Sequence, residues 1–389
     1  MSNMTRRQML KGFALGSIVA ASSGLATGCA PSSPLSDAGN ANGTEKVYQF
    51  AKRTSEVSDR IPVETDVLVI GGGGAGVCAA LAAAEEGARV AICEKTSMFG
   101  GATALSSGKI PAVGTAQQKE KEDSDSIGAC AMDIMRPSNY SVRPDLVYTA
   151  VEHSRDIVEW TEGFGAVWTV DDALYFGQTA YRMHTTDGEG EGLMDALIAS
   201  LEAEAAIEPM LSCEIMGLIL EDEADVVVGA WGKKGSEDIA IFAGNTVLAT
   251  SGFANNPDML ERYCPEATGA VKVVAPGATG EGILWGEELG AADWADRARF
   301  HGVDNDKTLE QGVANNGGII VNRDGNRFMN EYGGYSEMSP HVLAQPDGIG
   351  YLVFTDVQRE LSRKYPEWEE AGIVAVAPSA GELAASHRH

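Results

Sequence analysis

Positively charged residues are scarce in this chain. The sequence has 29 lysines and arginines against 56 aspartates and glutamates, which gives a formal net charge of −27. Such a surface repels the phosphates of DNA and RNA and the headgroups of anionic lipids. The charge therefore argues against a nucleic-acid partner and against membrane binding through a basic surface.

Cysteine is scarce as well. Six cysteines are scattered over 389 residues, and no CxxC or CxxCH pattern occurs. A disulfide framework, thioredoxin-like chemistry and an attached c-type haem therefore have no signature. An iron–sulfur cluster needs about four thiolates that converge in space, and the scattered cysteines do not suggest one. We predict no metal site.

Glycine, by contrast, is abundant. The chain has 46 glycines, and 44% of its residues are hydrophobic and 22% charged. Disordered chains lack this much apolar material, so the composition is that of a globular protein with room for two or three domains. The glycines indicate tight turns and close approaches of the backbone to a ligand.

The start of the chain has the pattern of an export signal. Arg6-Arg7 precedes an uncharged run, residues 12–27, that is short and weakly apolar for a membrane span. This pattern is typical of a secretion signal, and the arginine pair resembles the twin-arginine export signal. An ordinary N-terminal helix is the alternative. We expect an exported, extracytoplasmic protein, in the periplasm or at the cell surface.

A lipid anchor and a tether are suggested next. Residues 25–29 resemble a lipoprotein cleavage box, although Ala26 departs from its preferred residue, so lipidation of Cys29 is left open. Residues 30–45 are rich in Ser, Pro, Asn and Gly, which is typical of a flexible tether. Signal and tether together occupy residues 1–45, and a membrane contact is expected only through a lipid on Cys29.

A strand, a glycine loop and a helix follow in close order. Residues 63–70 predict a buried parallel strand, and residues 77–86 are an alanine-rich helical stretch. Residues 71–76 between them satisfy G-x-G-x-x-G. A second predicted strand, residues 88–93, ends at Glu94, 18 positions after the last glycine of the loop. This context makes the loop a dinucleotide fingerprint.

Each part of the fingerprint has a physical task. Gly71 permits the tight turn, Gly73 lets the backbone approach a diphosphate, and Gly76 lets helix and strand pack closely. The helix N-terminus stabilises phosphate charge, and Glu94 can accept hydrogen bonds from ribose hydroxyls. The predicted cofactor contacts of this region are Gly71, Gly73, Gly74, Ala75, Gly76 and Glu94.

A second loop of small residues, 95–108, follows Glu94. A nicotinamide-binding domain usually continues directly into another helix, whereas a second loop suits a longer ligand such as extended FAD. The segment resembles the flavin subunit of the fumarate reductase and succinate dehydrogenase family, in which Glu-Lys is followed by a Gly-Gly pair and a threonine or alanine. The resemblance implies FAD as the cofactor. The contacts it implies here are Lys95, Gly101, Ala102, Thr103, Ser107 and Gly108.

Two later segments extend the resemblance. Residues 246–253 resemble the family's strand that ends at the cofactor, with Ser251 in place of a glycine. Residues 280–282 resemble its Gly-Asp-Gly, with Glu281 in place of the aspartate. The family's adenine-side loop falls at residues 214–215. The further FAD contacts that these matches imply are Ile215, Ser251, Gly252 and Glu281.

The resemblance implies an α/β fold, with a Rossmann-like FAD-binding domain and an inserted α+β capping domain. We expect the FAD-binding domain over residues 46–295 and the cap over residues 296–389. Residues 226–231 and 239–243 should form strands of a small sheet. The family's return from the cap to the FAD-binding domain has no counterpart here. Both domains are therefore expected to be incomplete at the C-terminus, with weak or no retention of FAD and poor stability.

The cap region keeps one motif of the family and changes its substrate-facing positions. Residues 322–331 match Asn-Arg-x-Gly-x-Arg-Phe-x-Asn-Glu. The family's catalytic arginine, four residues further on, is replaced by Tyr335, and its Thr-Glu pair aligns near Glu310-Gln311. Both changes argue against a C4-dicarboxylate substrate. His301 falls where the family has its first substrate-binding histidine.

A tyrosine at this spacing resembles the ketosteroid dehydrogenase branch of the same flavin family. Its ordinary pKa of about 10 leaves the hydroxyl neutral and able to donate a proton beside an uncharged substrate. The resemblance implies Tyr335 and His301 as catalytic residues. The alternatives are that Tyr332 or another residue donates the proton and that His301 serves packing. Arg327 and Glu331 are interpreted as a structural ion pair.

Together these observations predict an exported FAD-dependent oxidoreductase that acts on CH–CH bonds. Hydride would pass from flavin N5 to the carbonyl-activated C=C bond of a small unsaturated substrate, and Tyr335 would supply the proton. With no haem signature and no second nucleotide motif, the electrons would come from an external donor such as a cytochrome or a quinol-linked protein. The alternatives are a 3-ketosteroid-type dehydrogenase working in the reverse direction and a non-catalytic fragment.

Overall fold

The computed structural model describes residues 48–121, 124–172, 174–175, 177–268, 272, 274–291, 311–333, 335–362 and 365–386. The predicted export signal, the tether and Cys29 lie outside these residues, and so does His301. Among the described helices, none combines the length and the apolar character that crossing a membrane requires.

Strands and helices alternate along the first half of the chain. The described strands are β1 (Lys52–Arg53), β2 (Ile61–Ile70), β3 (Val90–Cys93), β4 (Lys109–Pro111), β5 (Trp168–Val170), β6 (Met183–Thr186), β7 (Ile207–Met210), β8 (Cys213–Leu220), β9 (Val227–Lys234), β10 (Glu237–Leu248), β11 (Ile319–Val321) and β12 (Tyr351–Val353). The described α-helices are α1 (Gly74–Glu85), α2 (Gly101–Ala104), α3 (Ala116–Glu120), α4 (Ile127–Met135), α5 (Pro144–Glu152), α6 (Ser154–Glu162), α7 (Glu189–Ala203), α8 (Pro257–Tyr263), α9 (Glu281–Glu288), α10 (Gln311–Asn315), α11 (Tyr335–Leu343), α12 (Asp356–Arg359), α13 (Tyr365–Glu370) and α14 (Ala380–Ser386).

The central sheet has the strand order β1-β8-β9-β10-β2-β3-β7. β2 pairs in parallel with β3 and with β10, and β3 pairs in parallel with β7. All four residues of β3 are buried, which explains why its sequence is continuously apolar rather than alternating. Ile70 pairs with both Cys93 and Leu248. The carboxyl ends of β2, β3 and β10 therefore lie together at one edge of the sheet.

The prediction of a small separate sheet from residues 226–231 and 239–243 is wrong. β9 and β10 belong to the central sheet. β10 is a single strand of 12 residues, and its first half pairs with β9 while the register with β2 continues from Ile239 to Leu248. β10 stays continuous because it pairs with β2 from Ile239 to Leu248. This one strand therefore joins the antiparallel part of the central sheet to its parallel part.

Helix α1 covers one face of the parallel strands. Val77, Ala80 and Leu81 are buried, and they share a hydrophobic core with Met194 and Leu197 of α7. Burial of apolar side chains on both sides explains why α1 is alanine-rich rather than amphipathic. The sequence-based prediction of an α/β fold with a parallel-rich sheet is confirmed.

Two smaller sheets complete the described structure. β4, β6 and β5 form a three-stranded antiparallel sheet, and β11 pairs in antiparallel fashion with β12. Buried Ala314, Ile320 and Met338 form a small core that joins α10, β11 and α11. Residues 292–310 lie outside the described part of the chain, so the domain boundary near residue 295 stays a prediction.

Candidate cofactor site

The glycine loop is held at the carboxyl edge of the sheet by contacts that tolerate no side chain. Gly71 has a φ of +111°, and a Cβ on it would lie 2.2 Å from the Ala249 carbonyl oxygen. A Cβ on Gly76 would lie 1.8 Å from the Gly71 carbonyl oxygen. Real Cβ atoms do not come this close, so both positions require glycine. The structure thus gives Gly71 the tight turn and Gly76 the close helix–strand contact that their spacing predicts.

The N-terminus of α1 is open above Gly73. No side chain caps this end of the helix, and the nearest atoms to a Cβ on Gly73 would be 3.9 Å away, on Gly100 and Gly101. The amide of Gly74 donates a hydrogen bond to Thr103 Oγ1 at 3.2 Å, which ties the second loop to the first. Backbone amides at a helix N-terminus and the helix dipole favour the binding of a diphosphate at such an end.

Glu94 is positioned by the loops on either side of it. Its Oε2 accepts a hydrogen bond from the Gly72 amide at 2.9 Å, and its Oε1 accepts one from the Thr96 amide at 2.8 Å. A carboxylate offers about four acceptor sites, so each oxygen retains capacity for a ribose hydroxyl. The Glu94 carboxylate, as an acceptor, therefore fits a ribose, and the amides at the start of α1, as donors, fit a diphosphate.

Lys95 and Glu281 form an ion pair. Lys95 Nζ lies 2.8 Å from Glu281 Oε1 and 2.5 Å from Thr279 Oγ1, and the Thr279 hydroxyl donates to Glu281 Oε1 at 2.6 Å. Burial alone would raise the pKa of Glu281, but the hydrogen bonds from Lys95 and Thr279 outweigh it and lower the pKa. Two residues that were predicted as separate cofactor contacts are therefore brought together.

Ile215 and Glu281 share a cavity of about 320 Å³. Its lining also includes Phe50, Met216, Trp231 and Trp285. Ile215 itself is buried, with 7% of its surface exposed. The amide of Cys213, at the start of the same strand, donates to the Glu94 carbonyl at 2.9 Å. The predicted adenine-side loop therefore lies next to the predicted ribose ligand.

The remaining predicted contacts lie in exposed loops or at the start of helices. Gly101, Ala102 and Thr103 form the short helix α2, and Ser107 is exposed just before buried Gly108. Ser251 has a φ of +65°. This left-handed conformation favours glycine, which accords with a serine standing where the family has a glycine. Ala75, Ser251 and Gly252 are exposed. The roles of all these residues stay predictions.

Sequence reasoning missed a polar cluster directly after the second loop. Lys109 Nζ lies 2.6 Å from Asp171 Oδ2 and 2.6 Å from Thr185 Oγ1, and the Tyr175 hydroxyl donates to Asp171 Oδ2 at 2.5 Å. Burial opposes ionisation of Asp171, yet the hydrogen bonds from Lys109 and Tyr175 lower its pKa. A lysine placed next to Gly108 was the one available signal, because its partners Asp171 and Thr185 lie 62 and 76 residues further along the chain.

A second charged cluster that the sequence did not predict is deeply buried. Arg182 binds Asp125 through Nη2–Oδ1 at 2.6 Å and Asp133 through Nη1–Oδ2 at 2.5 Å, and all three side chains are at most 1% exposed. His184 is also buried. Its Nε2 lies 2.7 Å from Thr115 Oγ1, and its Nδ1 lies 2.8 Å from the Arg182 carbonyl oxygen. These two hydrogen bonds hold the buried His184 ring within the fold.

In the cap region, the structure confirms Arg327 and Glu331 as an ion pair. Arg327 Nη2 lies 2.6 Å from Glu331 Oε2, and Glu331 Oε1 accepts the amide of Ile320 at 2.8 Å. Tyr335 is the first residue of α11, and its side chain lies outside the described atoms. The structure therefore places the backbone of Tyr335 without testing its role, and the prediction for His301 is untested.

An α/β sheet with a glycine loop, an open helix end and a carboxylate at one edge defines a dinucleotide-binding protein. Comparison with known proteins specifies it further. The sequence profile of the family described as "FAD binding domain" matches residues 66–375. The chain belongs to this family, and FAD is its cofactor. The glycine loop, Glu94 and the open end of α1 fit that cofactor.

Similar proteins act on different substrates. A fumarate reductase (cytochrome) of Shewanella frigidimarina is 32% identical over 350 residues, which cover 87% of this chain and 61% of the relative. The open conformation of a flavocytochrome c3 fumarate reductase has a TM-score of 0.70 at 26% identity, covering 88% of this chain and 63% of that chain. A 3-ketosteroid-Δ4-(5α)-dehydrogenase of Rhodococcus jostii has a TM-score of 0.69 at 25% identity, covering 86% and 76%. The chain spans 55% to 61% of the length of the first three curated relatives it matches.

Proposed function

We propose that this protein is a flavin-dependent reductase of a C=C bond conjugated to a carbonyl group. The observation that carries the proposal is the coexistence of the glycine loop, Glu94 and the open end of α1 with a cap motif in which Tyr335 stands where the resembled family has an arginine. Similarity to a fumarate reductase and to a ketosteroid dehydrogenase supports the reaction class, because both names denote redox enzymes with unsaturated carbonyl compounds. FAD, once reduced by an external electron donor, would supply the hydride of the reduction.

The described part of the cap supports a defined position for Tyr335. The carboxylate of Glu331, which is 3% exposed, ties residues 327–331 to β11 through Arg327 and the Ile320 amide. Met338 anchors α11 in the same core as Ile320. Glu331, four residues before Tyr335, and Met338, three residues after it, are thus both held in the cap. This supports the rigid placement that a residue that moves a proton needs.

The chemistry that we assign to Tyr335 is donation of one proton to the substrate carbon that does not receive hydride. A neutral phenol with a pKa of about 10 can donate without placing a charge beside an apolar substrate. The tyrosinate left behind regains its proton from solvent. The product contains one new C–H bond from the cofactor and one from this proton, so atoms and electrons balance.

Substitution of Tyr335 by phenylalanine tests the role. We expect the loss of substrate-driven reoxidation of the reduced flavin, with FAD content unchanged. Tyr332→Phe is the matched control, because Tyr332 is the alternative donor three residues earlier. Anaerobic reoxidation should be followed with enones, enoates and fumarate. Normal turnover of the Tyr335→Phe protein, or fast reoxidation of the parent by fumarate, contradicts the assignment.

A dehydrogenase that works in the reverse direction is the second candidate, favoured by the similarity to the ketosteroid enzyme. The same residues would then remove a proton while the oxidised cofactor takes up two electrons. Reduction of an artificial electron acceptor in the presence of saturated 3-ketosteroids would indicate the dehydrogenase direction, and its absence would favour the reductase. A colourless protein that FAD cannot reconstitute would instead support the third reading, a non-catalytic fragment.

We further propose that the protein is exported by the twin-arginine route to an extracytoplasmic location, with an external electron donor such as a cytochrome or a quinol-linked protein. The name of the Shewanella frigidimarina relative supports a cytochrome. Substitution of both Arg6 and Arg7 by lysine should block export and retain the protein in the cytoplasm. Cys29→Ala should release it from the membrane fraction if a lipid is attached there, and an unchanged distribution contradicts the anchor.

A further inference from the structure

The segment that precedes the family match forms part of the cavity beside the cofactor edge. The match begins at residue 66, yet Gln49 and Phe50 line the cavity together with Ile215 and Trp285. Phe50 is partly buried and packs against the hydrophobic core that contains these two residues. Residues that precede the family match therefore line a cavity beside predicted cofactor contacts.

The carboxylate of Glu288 holds this segment in place. Glu288 is the last residue of α9, and it accepts hydrogen bonds from three successive backbone amides. The Phe50 amide lies 3.0 Å from Oε1, and the Ala51 amide lies 2.9 Å from Oε2. The Gln49 amide also donates to Oε1. Three charge-assisted hydrogen bonds to one carboxylate form a strong local anchor.

A second set of contacts holds the segment from the side of the sheet. The indole Nε1 of Trp231 donates to the Phe50 carbonyl oxygen at 2.9 Å. A Cβ on Gly217 would lie 1.9 Å from that same oxygen, so the close approach requires glycine in β8. β1 continues the segment and pairs in parallel with β8. Both partners of the segment, β8 and α9, also carry predicted FAD contacts, Ile215 and Glu281.

The cavity has the chemistry of a site for an amino-substituted aromatic ring. Its lining residues include three aromatic residues, Phe50, Trp231 and Trp285, and two acidic residues, Glu214 and Glu281. Aromatic side chains stack on the faces of bases, and carboxylates accept hydrogen bonds from exocyclic amino groups. The cavity adjoins the strand whose first amide binds the Glu94 carbonyl, and Glu94 is the predicted ribose ligand.

We propose that Phe50 contacts the adenine of bound FAD and that Glu288 is a positioning residue that acts through Phe50. Residues 49–51, held by Glu288 of α9, would then form one side of the adenine site. This contact involves the adenosine half of the cofactor and does not depend on the reaction that the flavin half performs.

Calorimetric titration with ADP, which carries the adenosine half alone, tests the proposal. We expect Phe50→Ala to weaken ADP binding about tenfold, in line with the loss of one stacking partner. Phe50→Tyr, which keeps the ring, should restore the parental affinity. Glu288→Gln should weaken ADP binding in the same direction. Glu287→Gln is its control, because Glu287 instead accepts a hydrogen bond from Tyr263 at 2.6 Å.

Hydrogen–deuterium exchange supplies a readout that does not depend on substitution. In the parent protein, ADP should slow exchange of the amides at residues 49–51, and Glu288→Gln should accelerate it. Equal ADP affinity of the parent and Phe50→Ala overturns the proposal. So does a parent chain that binds no ADP, or one in which ADP leaves exchange at residues 49–51 unchanged. None of these measurements involves turnover, so they stand apart from the test of Tyr335.

Discussion

Two charged clusters in this protein differ chiefly in burial. In the Arg182 cluster (Arg182, Asp125 and Asp133), every side chain is at most 1% exposed. In the Lys95 pair (Lys95 and Glu281), the side chains are 28% and 34% exposed. The Lys95 pair stands beside Glu94 at the cofactor edge, whereas the Arg182 cluster joins α4 to the small sheet of β4, β5 and β6.

This difference in burial separates charges that stabilise the fold from charges that a ligand can reach. The Arg182 guanidinium binds two carboxylates and the side-chain oxygen of Gln178, so a ligand would have to displace a partner from the interior. Lys95 binds one carboxylate and one hydroxyl and remains in contact with solvent. It can therefore exchange partners when an anionic cofactor binds.

The largest expected effect comes from the buried cluster. Burial alone would raise the pKa values of Asp125 and Asp133, but hydrogen bonds from Arg182, and for Asp133 also from Thr179, lower both. Arg182→Met leaves the buried Asp125 carboxylate without a cation and leaves Asp133 with Arg136 alone, at 3.5 Å, which should destabilise the protein by about 3–5 kcal/mol. Chemical denaturation measures this loss. Arg89→Met is the control, because the Arg89–Asp66 pair is exposed. Equal unfolding midpoints for the two variants would remove the distinction.

A smaller effect should appear as a dependence of stability on pH. Burial lowers the pKa of His184 below its usual 6.5, and its two hydrogen bonds suit the neutral ring. The unfolded chain takes up a proton as the pH falls through 6.5, before the folded chain can. The contribution of His184 is thus present above 6.5 and is lost as the pH falls towards the folded pKa, by up to about 1.4 kcal/mol per pH unit.

Thermal unfolding between pH 8 and pH 5.5 measures that slope. His184→Gln should flatten it, while Lys95→Met should leave it as in the parent, because Lys95 lies in the other cluster. A slope that persists in His184→Gln would assign the proton uptake to another group.

The smallest effect on stability is expected at the Lys95 pair, where the effect on the cofactor should be clear. Lys95→Met leaves the Glu281 carboxylate without its cation beside a diphosphate. We expect FAD to bind about tenfold more weakly, which corresponds to about 1.4 kcal/mol, with little change in the unfolding midpoint. Titration of the apoprotein with FAD checks this. Lys233→Met is the control, since Lys233 pairs loosely with Asp238 at 3.9 Å. An unchanged FAD affinity in Lys95→Met would show that the pair is structural.

Most of the fold and one half of the site were predictable from local patterns. The apolar run of β2, the glycine loop and the alanine-rich α1 follow one another in the chain, so their arrangement depends on backbone conformation and short-range packing. The strands around residues 226–243 were assigned to the wrong sheet, because strand partners are set by distant register and not by local composition. The Lys109 cluster was missed for a similar reason, since Asp171 and Thr185 reach Lys109 only through the pairing of β4, β6 and β5.

The amino-acid sequence, with the family resemblance that it carries, was enough to predict the dinucleotide edge, FAD as the cofactor and Tyr335 at the position of the family's cap arginine, because each prediction depends on residues that are neighbours in the chain. Long-range packing settled what neighbouring residues cannot. It brought Asp125, Asp133 and Arg182 together in the interior, and it made Lys95 and Glu281 partners. It also placed Phe50 against Ile215 and Trp285, three segments that lie far apart in the chain. The physical reason is that burial and charge pairing depend on which segments fold against each other, and that arrangement is a property of the whole sheet.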